Sequence, residues 1–309
     1  MRFSVVVPAF NEEGSVEELC GEVSAVLNEV GGEYEIIFVD DGSTDSTPEV
    51  LRRLSLGNDS IRNIRFIRNF GKSAAYSAGF DAARGQIIIT LDADLQDDPH
   101  EIPAFLAKLE EGFDLVGGWK IGRLENEPLK TLPSKIFNGL THSIFGLKLR
   151  DINCGFRVMR KGVAKSLNLY GDLYRFIPIL AHVQGYKVTE AGYHHRKRKH
   201  GKSKYGAKRF WTGLLDLLTV SFVTTYAQQR PLHFFGTVGL VPVLLGFLLE
   251  AYVLADRLFF GGNLQSHIAA IVVGVMLILI GFQCIITGLV GEMLTNRQRG
   301  KNYLTEEDR

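Results

Sequence analysis

The sequence has 309 residues but only three cysteines, Cys20, Cys154 and Cys284. They lie far apart and form no CxxC pair, which excludes a cysteine-based zinc site and a disulfide framework. The chain also lacks a glycine-rich phosphate loop of the dinucleotide or Walker type, so it offers no anchor for hydride transfer or ATP hydrolysis. Its 35 Lys and Arg residues balance 34 Asp and Glu residues. A net charge of +1 excludes binding to nucleic acid by overall charge alone.

Charged residues are scarce in the segment 231–294. Only four of its 64 residues are charged, against 65 of the other 245. Residues 234–254 and 268–290 form apolar runs of 21 and 23 residues, which suffice to cross a hydrocarbon core of about 30 Å. The connector, residues 255–267, is short. The sequence therefore predicts a soluble domain joined to a C-terminal hairpin of two transmembrane helices.

The charges that flank this hairpin predict its orientation. The stretch 194–209 before it contains eight Lys or Arg residues and no acid, and Arg297, Arg299 and Lys301 follow it. The positive-inside rule therefore places both termini in the cytoplasm. The N-terminus has too short an apolar run for a signal peptide. We expect an integral protein of the cytoplasmic (inner) membrane whose soluble domain faces the cytoplasm.

Glycines recur at seven-residue steps in both apolar runs. This spacing keeps small residues on one stripe, where helices approach closely, and it would suit a homo-oligomer. An equal alternative is that membrane helices are simply rich in glycine. The glycines of the stripe are Gly239, Gly246, Gly274, Gly281 and Gly288.

Short β-branched runs alternate with helical patterns in the first half of the chain. The alternation predicts an α/β fold, a mostly parallel sheet with helices on both faces. The expected strands are residues 3–7, 35–39, 63–67, 86–91 and 114–116, and the expected helices are residues 15–27, 47–54, 73–83 and 101–110. Between residues 120 and 175 the pattern indicates loops and short helices without a clear order.

Acidic loops follow the first, second and fourth expected strands. Their sequences are PAFNE from residue 8, DDGS from residue 40 and DADLQDDP from residue 92. Acids at such positions can cap the following helices, but ligands bind beyond the carboxyl ends of parallel strands, where these three loops meet. The sequence therefore predicts a binding site at this edge of the sheet.

Asp92 and Asp94 place two carboxylates on the same side of an extended strand end. Hard oxygen donors of this kind suit Mg²⁺ or Mn²⁺, which takes its remaining ligands from water and from a substrate's phosphates. A single DxD motif is weak, but its place beside two other acidic loops strengthens it. We expect a divalent cation here.

The region before the hairpin is expected to meet the membrane surface. Five apolar residues within 206–230 share a helical face, which favours an interfacial helix: Trp211, Leu214, Leu215, Leu218 and Phe222. A third membrane span is the alternative, although Asp216 near its middle opposes it. In the preceding stretch we expect Arg196 and Lys197 to attract anionic lipids. Three histidines there fit no strong ligand set and are read as polar surface: His194, His195 and His200.

Five motifs together resemble, in order, those of the family 2 glycosyltransferases of the GT-A fold, and more narrowly the polyprenyl-phosphate sugar transferases. The motifs are VVVPAFNEE, VDDGSTD, RNFGKSAAYSAGF, DADLQDDP and GKSKYG. The resemblance spans residues 1–230, and the two-span tail is similar to the bacterial members. It implies a Rossmann-like GT-A domain over residues 1–205, an interfacial region over 206–230, two spans over 231–294 and a cytoplasmic tail over 295–309.

The resemblance also implies roles for individual residues. Asp92, Asp94 and Gln96 would bind the metal ion, and Lys130 and Ser134 the acceptor phosphate. In DINCGFR, Asp151 would lie beside the acceptor, either as a base or, more in keeping with an acceptor that needs none, in an orienting role. The implied nucleotide-sugar contacts are Pro8, Phe10, Glu12, Val39, Asp41, Asp92, Ala93, Asp94, Gln96, Lys120, Arg175, Arg198 and Lys204.

The expected reaction is the inverting, metal-dependent transfer of one hexose from a UDP- or GDP-linked sugar to polyprenyl phosphate. The acceptor phosphate, whose second pKa is about 6, is largely ionised at neutral pH, so no strong general base is needed. Two alternatives stay open. A processive polysaccharide synthase is disfavoured by the absence of a QxxRW stretch and by the expectation of only two spans. A catalytically silent membrane protein that binds nucleotide sugars is disfavoured by the intact DAD motif.

Overall fold

The structure is a computed structural model that describes residues 1–121, 145–196, 231–261 and 263–297, with the separate positions 139, 141–143 and 220. The chain divides into two compact units, residues 1–218 with 304–309, and residues 219–303. The expected interfacial region at 206–230 lies outside the described residues except for position 220. That region and the domain boundaries drawn around it stay predictions.

The first unit is built on a mixed sheet of seven strands in the order β3-β2-β1-β4-β6-β5-β7. Neighbouring strands are parallel except that β6 runs antiparallel to both β4 and β5. The predicted strands are confirmed with shifted ends, whereas β6 and β7 fall where the sequence pattern gave no order or no strand. The strands are β1 Phe3–Ala9, β2 Tyr34–Asp40, β3 Ile61–Arg65, β4 Ile87–Thr90, β5 Leu115–Lys120, β6 Arg157–Arg160 and β7 Val188–Tyr193.

Helices cover this sheet, and the four predicted from the sequence are confirmed to within a few residues. Pro48 occupies the first turn of its helix, as expected. Two of the helices follow short 3₁₀ turns, at Pro99–Glu101 and Leu173–Phe176. The helices are α1 Val16–Val30, α2 Thr47–Gly57, α3 Lys72–Ala82, α4 Ile102–Glu110, α5 Lys161–Ser166 and α6 Ile177–Val183.

The two faces of the sheet have different packing. The main apolar core lies on the face covered by α1 and α4, where Val5, Phe38, Ile89 and Phe156 are fully buried. On the other face, α3 lies close to β1 and β2. A Cβ at Gly79 of α3 would collide with Val6, so glycine permits this approach. Because α3 lies this close, its N-terminal end stands near the carboxyl edge of the sheet.

A buried carboxylate ties the strands together at the amino edge of the sheet. The Glu35 side chain is 2% exposed. It accepts hydrogen bonds from Ser4 Oγ (2.6 Å), Arg62 Nη1 (2.7 Å) and the Arg84 backbone N–H (2.7 Å). These partners belong to β1, β3 and the segment before β4. Several donors therefore compensate the burial of this charge.

The second unit contains two long apolar helices, α7 Pro231–Phe259 and α8 Ile268–Arg297. Both are long and apolar enough to span a membrane, and they extend past the predicted runs. Near the ends, the Leu232 N–H donates to Glu292 (3.4 Å) and His267 lies 3.1 Å from Asp256. These polar contacts tie α7 to α8 near one end of the hairpin and to the turn before α8 at the other.

The predicted glycine stripe lies between these helices. A Cβ at Gly239 would stand 2.5 Å from the carbonyl oxygen of Gly281, and a Cβ at Gly246 would stand 2.6 Å from that of Gly274. A Cβ at Gly281 would in turn meet the carbonyl of Gly239. The two backbones are thus in direct contact, as small residues allow in membrane helices.

Candidate functional site

The loops after β1 and β2 are locked to each other at the carboxyl edge of the sheet. Asn11, which has a φ of 53°, donates its backbone N–H to Ser43 Oγ (2.9 Å) and accepts the Thr44 N–H on its side chain (2.8 Å). The Glu12 N–H donates to Thr47 Oγ1 (2.9 Å). Asparagine tolerates such a left-handed backbone better than most residues. The two acidic loops therefore form one rigid surface.

Three predicted nucleotide contacts on this surface are half-buried: Pro8, Phe10 and Glu12. Val39 is fully buried beneath them, so only its backbone could face a base. The Asp41 carboxylate is also buried and accepts the N–H groups of Phe70 (2.7 Å) and Gly71 (3.0 Å). Burial raises the pKa of Asp41. In this structure Asp41 anchors the loop before α3.

The predicted metal ligands of the DAD loop are partly exposed. Asp92, Asp94 and Gln96 are half-buried, whereas the intervening Ala93 and Leu95 are buried. Leu95 has a φ of 61°, a strained value for a branched residue. All three predicted metal ligands are thus partly accessible in the loop that follows β4.

The chemistry of this surface fits a divalent cation. Two carboxylates and an amide supply hard oxygen atoms. Gly155 lies so close to Asp92 that a Cβ there would stand 2.5 Å from Oδ1. The Gly155 carbonyl is held by Thr90 Oγ1 (2.7 Å). A glycine cradle thus leaves room for the carboxylate at the end of β4.

Lys72, at the start of α3, contacts the first acid of the DAD motif. Its Nζ lies 2.5 Å from Asp92 Oδ1, and Tyr76 OH lies 3.4 Å from the same oxygen. The ammonium also stands over the ring of Tyr174, 5.3 Å from its centroid. Although burial alone would lower it, the negative charge of Asp92 holds the pKa of Lys72 above its usual value. Sequence reasoning assigned no role to Lys72, although it lies in a motif that carried the resemblance.

A buried polar network supports the far end of the DAD loop. Tyr193 OH donates to Asp97 Oδ1 (2.5 Å), and His195 Nδ1 lies 3.5 Å from the same oxygen. Lys120 Nζ lies 3.1 Å from His195 Nε2, and Cys154 Sγ lies 3.3 Å from Tyr193 OH. Burial alone would raise the pKa of Asp97, but its contacts with His195, Lys120 and Tyr193 hold it below its usual value. Asp97 is therefore a structural anion beneath the loop.

The start of the basic stretch is paired with protein and not free to face lipid. Arg196 Nη1 donates to Glu22 (2.7 Å) and Nη2 to Asp98 (2.6 Å), while its backbone N–H donates to the Gln96 carbonyl (2.9 Å). The expectation that Arg196 attracts anionic lipids is therefore wrong. Nor is His195 simply polar surface, because it lies against Asp97. The carboxylates of Glu22 and Asp98, which with His100 have metal-like spacing, already hold the Arg196 guanidinium.

The other predicted site residues are spread more widely. Arg175 is buried, pairs with Asp172 (2.9 Å) and donates to Tyr174 OH (3.3 Å). Tyr174 links it to Lys72. Asp151 accepts the Asn153 N–H (3.2 Å) on the loop that leads to Gly155, an orienting contact within its own loop. The remaining predictions, Lys130, Ser134, Lys197, Arg198, His200 and Lys204, lie outside the described residues.

Arg157 is a buried cation that sequence reasoning did not single out. It is 1% exposed, and none of its guanidinium nitrogens has a hydrogen-bond partner within the part of the chain that the structure describes. It pairs with Thr90 across β6 and β4, two residues before Asp92. Cross-strand partners project to the same face. An arginine on a short strand gives no sign of this burial, so sequence pattern alone could not have found it.

Comparisons with known proteins agree with this architecture. The family model of glycosyl transferase family 2 matches residues 4–167. The chain is 39% identical to dodecaprenyl-phosphate galacturonate synthase of Rhizobium johnstonii over 95% of this chain and 88% of the relative. It is 35% identical to undecaprenyl-phosphate 4-deoxy-4-formamido-L-arabinose transferase of Shewanella sediminis, over 94% of this chain and 86% of the relative.

Solved structures share the fold at low sequence identity. Glucosyl-3-phosphoglycerate synthase of Mycobacterium tuberculosis, in a complex with Mn²⁺, UDP-glucose and phosphoglyceric acid, superposes with a TM-score of 0.53 and 19% identity, over 72% of this chain and 79% of that one. Mannosyl-3-phosphoglycerate synthase of Rubrobacter xylanophilus gives 0.54 and 18%, over 72% and 74%. The sheet with its covering helices is thus the GT-A fold expected from the sequence.

Proposed function

The chain belongs to glycosyl transferase family 2, and on that premise we propose that this glycosyltransferase moves one hexose from a UDP- or GDP-linked sugar to a polyprenyl phosphate, with inversion and with Mg²⁺ or Mn²⁺. One observation carries the proposal. The partly exposed Asp92, Asp94 and Gln96 follow β4 at the carboxyl edge of the sheet, the edge at which the loops after β1 and β2 are locked to each other. The relatives named as polyprenyl-phosphate sugar transferases support the acceptor class.

Different residues at the carboxyl edge of the sheet would bind different parts of the nucleotide-sugar donor. The rigid surface formed by the loops after β1 and β2 would hold the nucleoside. Asp92, Asp94 and Gln96 would hold the divalent cation. When bound there, the cation would screen the charge that develops on the departing nucleoside diphosphate. Lys120, which lies 3.1 Å from His195, would add a fixed positive charge near the phosphates.

The acceptor side needs orientation more than proton transfer. A phosphate monoester oxygen is already a nucleophile at neutral pH, so a single displacement opposite the leaving group requires no strong base. Asp151 then orients its loop through Asn153. Lys130, Ser134, Arg198 and Lys204 are proposed contacts to phosphate groups, because pairing with cations would offset the repulsion between two anionic reactants.

The two apolar helices suit an acceptor that is dissolved in a bilayer. We propose that they span the cytoplasmic membrane and that the catalytic unit and both termini face the cytoplasm, as the flanking basic residues favour. A polyprenyl phosphate would then present its head group at the surface from which nucleotide sugars arrive.

The test uses the full-length protein in membranes with radiolabelled nucleotide sugars and undecaprenyl phosphate, with Mn²⁺ or EDTA. Label that extracts into chloroform only with metal supports the proposal. Insoluble polymer would indicate a processive synthase instead, and no incorporation from any donor would indicate a silent binding protein.

A further inference from the structure

The DAD loop carries a strained residue between two of its proposed metal ligands. Leu95 has a φ of 61° and is 1% exposed, whereas its neighbours Asp94 and Gln96 are partly exposed. The Gln96 N–H donates to Asp94 Oδ1 across it (3.2 Å). A branched residue keeps such a backbone conformation only where the surrounding structure holds it in place. The segment after Leu95 therefore needs contacts that prevent the loop from relaxing.

The main chain of Arg196 supplies such contacts to Gln96. The Arg196 N–H donates to the Gln96 carbonyl (2.9 Å), and the adjacent residues Asp97 and His195 form an antiparallel β-bridge. In the other direction, Gln96 Nε2 lies 3.5 Å from the Arg196 carbonyl oxygen. This contact turns the amide nitrogen of Gln96 toward Arg196 and the amide oxygen away from it. Only that oxygen can bind a cation, because the amide NH₂ group is solely a hydrogen-bond donor.

The guanidinium of Arg196 anchors this main chain. Nη1 donates to both carboxylate oxygens of Glu22 (2.9 and 2.7 Å), and Nη2 donates to Asp98 (2.6 Å). Glu22 lies in α1, the helix that follows the loop after β1, and Asp98 lies at the end of the DAD loop. The three side chains are 21 to 27% exposed, so water and salt screen these pairs less than pairs at an open surface. A guanidinium that joins two carboxylates fixes their geometry as well as their charge.

We propose that Arg196 is a positioning residue of the metal site, which holds Gln96 in the orientation that lets its amide oxygen bind the cation and keeps the strained loop in place. This inference rests on the proposed function, in which Gln96 binds the cation. It adds a residue that would itself touch neither the cation nor the substrate. Groups that orient metal ligands in this way typically change metal affinity about 10- to 100-fold when they are removed. If the Arg196 ion pairs only stabilise the fold, the metal affinity of the folded protein would not depend on them.

The test measures the Kd of Mn²⁺ by electron paramagnetic resonance on the full-length protein in detergent, with UDP present and again with GDP. Removing the guanidinium alone would uncover the metal-like spacing of Glu22, Asp98 and His100. The test variant is therefore the double substitution Arg196→Gln with Glu22→Gln. It should raise the Kd about tenfold. Arg196→Lys keeps the charge but loses the fork that joins the two carboxylates, so it should raise the Kd by a smaller factor.

A double-mutant cycle with Gln96→Ala separates positioning from a general effect on the fold. Gln96→Ala should itself raise the Kd at least as much, because it removes the ligand. In that background the Arg196 and Glu22 substitutions should change the Kd by less than about twofold, since the side chain they orient is absent. Arg62→Gln is the matched control, because Arg62 is 31% exposed and pairs with a buried glutamate at 2.7 Å, but at the amino edge. It should lower stability and leave the Kd of the folded protein unchanged.

Several results would overturn the inference. They are an unchanged Kd in the Arg196 variant, a loss that persists in the Gln96→Ala background, or an equal loss in Arg62→Gln. A wild type that binds no Mn²⁺ would overturn both the inference and the metal of the proposed function. Transfer of radiolabelled sugar to undecaprenyl phosphate is measured separately. Metal-dependent product with additive effects in the cycle would support the function and overturn the inference. The expected cycle without any lipid-linked product would contradict the proposed acceptor and leave the inference standing.

Discussion

The two edges of the sheet hold acidic residues in opposite circumstances. At the amino edge, the Glu35 carboxylate is 2% exposed and accepts hydrogen bonds from three groups. At the carboxyl edge, Asp92 is 33% exposed and is paired with Lys72, a side chain that also faces the site. Both edges therefore carry acids with partners. They differ in whether a ligand can still reach the carboxylate.

This difference separates a structural acid from a functional one better than residue type does. Glu35 joins three neighbouring segments of the fold, so its charge is used entirely within the protein. Asp97 shows that the carboxyl edge contains both kinds, because it is buried against Tyr193 and His195 beneath the accessible Asp92, Asp94 and Gln96. Accessibility thus distinguishes the acids that we propose to act on substrate, Asp92 and Asp94, from the buried Asp97.

The sharpest test of the comparison is Asp94→Ala. Removing a metal ligand should lower turnover by about three orders of magnitude, since metal-ion catalysis supplies several kcal/mol. The free energy of unfolding should change by about 1 kcal/mol or less, because the hydrogen bond that Asp94 accepts from the Gln96 N–H is short-range. Transfer of radiolabelled sugar to lipid and denaturant unfolding in detergent measure the two quantities. Near-normal turnover in this variant would mean that Asp94 does not hold the cation.

The reverse pattern is expected for Glu35→Gln at the other edge. The loss of a buried charge bonded to Arg62 should reduce the free energy of unfolding by about 2 to 3 kcal/mol. Turnover per folded molecule should stay within about twofold, because Glu35 is far along β2 from the site. Urea unfolding followed by tryptophan fluorescence checks stability. Unchanged stability would show that the three hydrogen bonds add little to the fold.

Tyr193→Phe tests the buried acid at the carboxyl edge. The substitution removes the hydroxyl that donates to Asp97 but keeps the ring that packs on Phe156 at 5.4 Å. We expect a loss of about 1 to 2 kcal/mol in the free energy of unfolding and weaker Mn²⁺ binding, measured by electron paramagnetic resonance. Normal stability together with a selective loss of turnover would instead place Tyr193 among the groups that act on substrate.

The smallest effect concerns pH and two acids at opposite ends of β2. Burial alone would raise the pKa of Glu35, but hydrogen bonds from Ser4, Arg62 and the Arg84 backbone lower it below its usual value. Its ionised form therefore stabilises the fold above an unfolded-state pKa of about 4.3, and this contribution is lost as the pH falls through the folded-state pKa. For Asp41, burial dominates and raises the pKa. The protonated form of Asp41 therefore stabilises the fold. This stabilisation is complete below the unfolded-state pKa of about 3.9 and is lost as the pH rises through the folded-state pKa.

Unfolding free energies measured between about pH 3 and 7 should show these opposite signs. The difference between the wild type and Glu35→Gln should grow as the pH rises. The corresponding difference for Asp41→Asn should shrink over the same range. Two curves of the same sign would contradict the contrast between the ends of the strand.

The sequence predicted the elements whose patterns are local. The alternation of strands and helices, the DAD motif and the apolar runs each depend on residues near one another in the chain, and the structure shows all of them. Acids at three strand ends predicted a site at the carboxyl edge, and the structure locks two of these three loops to each other at that edge. Strand order and register determine how these local segments lie beside one another at that edge.

Contacts between distant segments could not be predicted in the same way. Arg196 lies in a basic stretch, and such stretches usually face solvent or lipid, but its partner Glu22 is 174 positions away. Lys72 and Asp92 are brought together by the close packing of α3 on β1 and β2. Gly79 permits this packing, but a single glycine in a helical pattern does not predict it. These pairings depend on tertiary geometry, so composition and spacing could not reveal them.

The glycine stripe has a consequence for assembly. The carbonyls of Gly281 and Gly274 already pack against Gly239 and Gly246, so the glycine stripe forms its close contact between the two helices of a single chain. A neighbouring copy would have to dock on the outward surfaces, which are lined by bulky side chains such as Leu248, Leu279 and Met293. Larger side chains hold backbones further apart. If copies associate through these helices, their backbones would accordingly lie further apart than those of α7 and α8 within one chain.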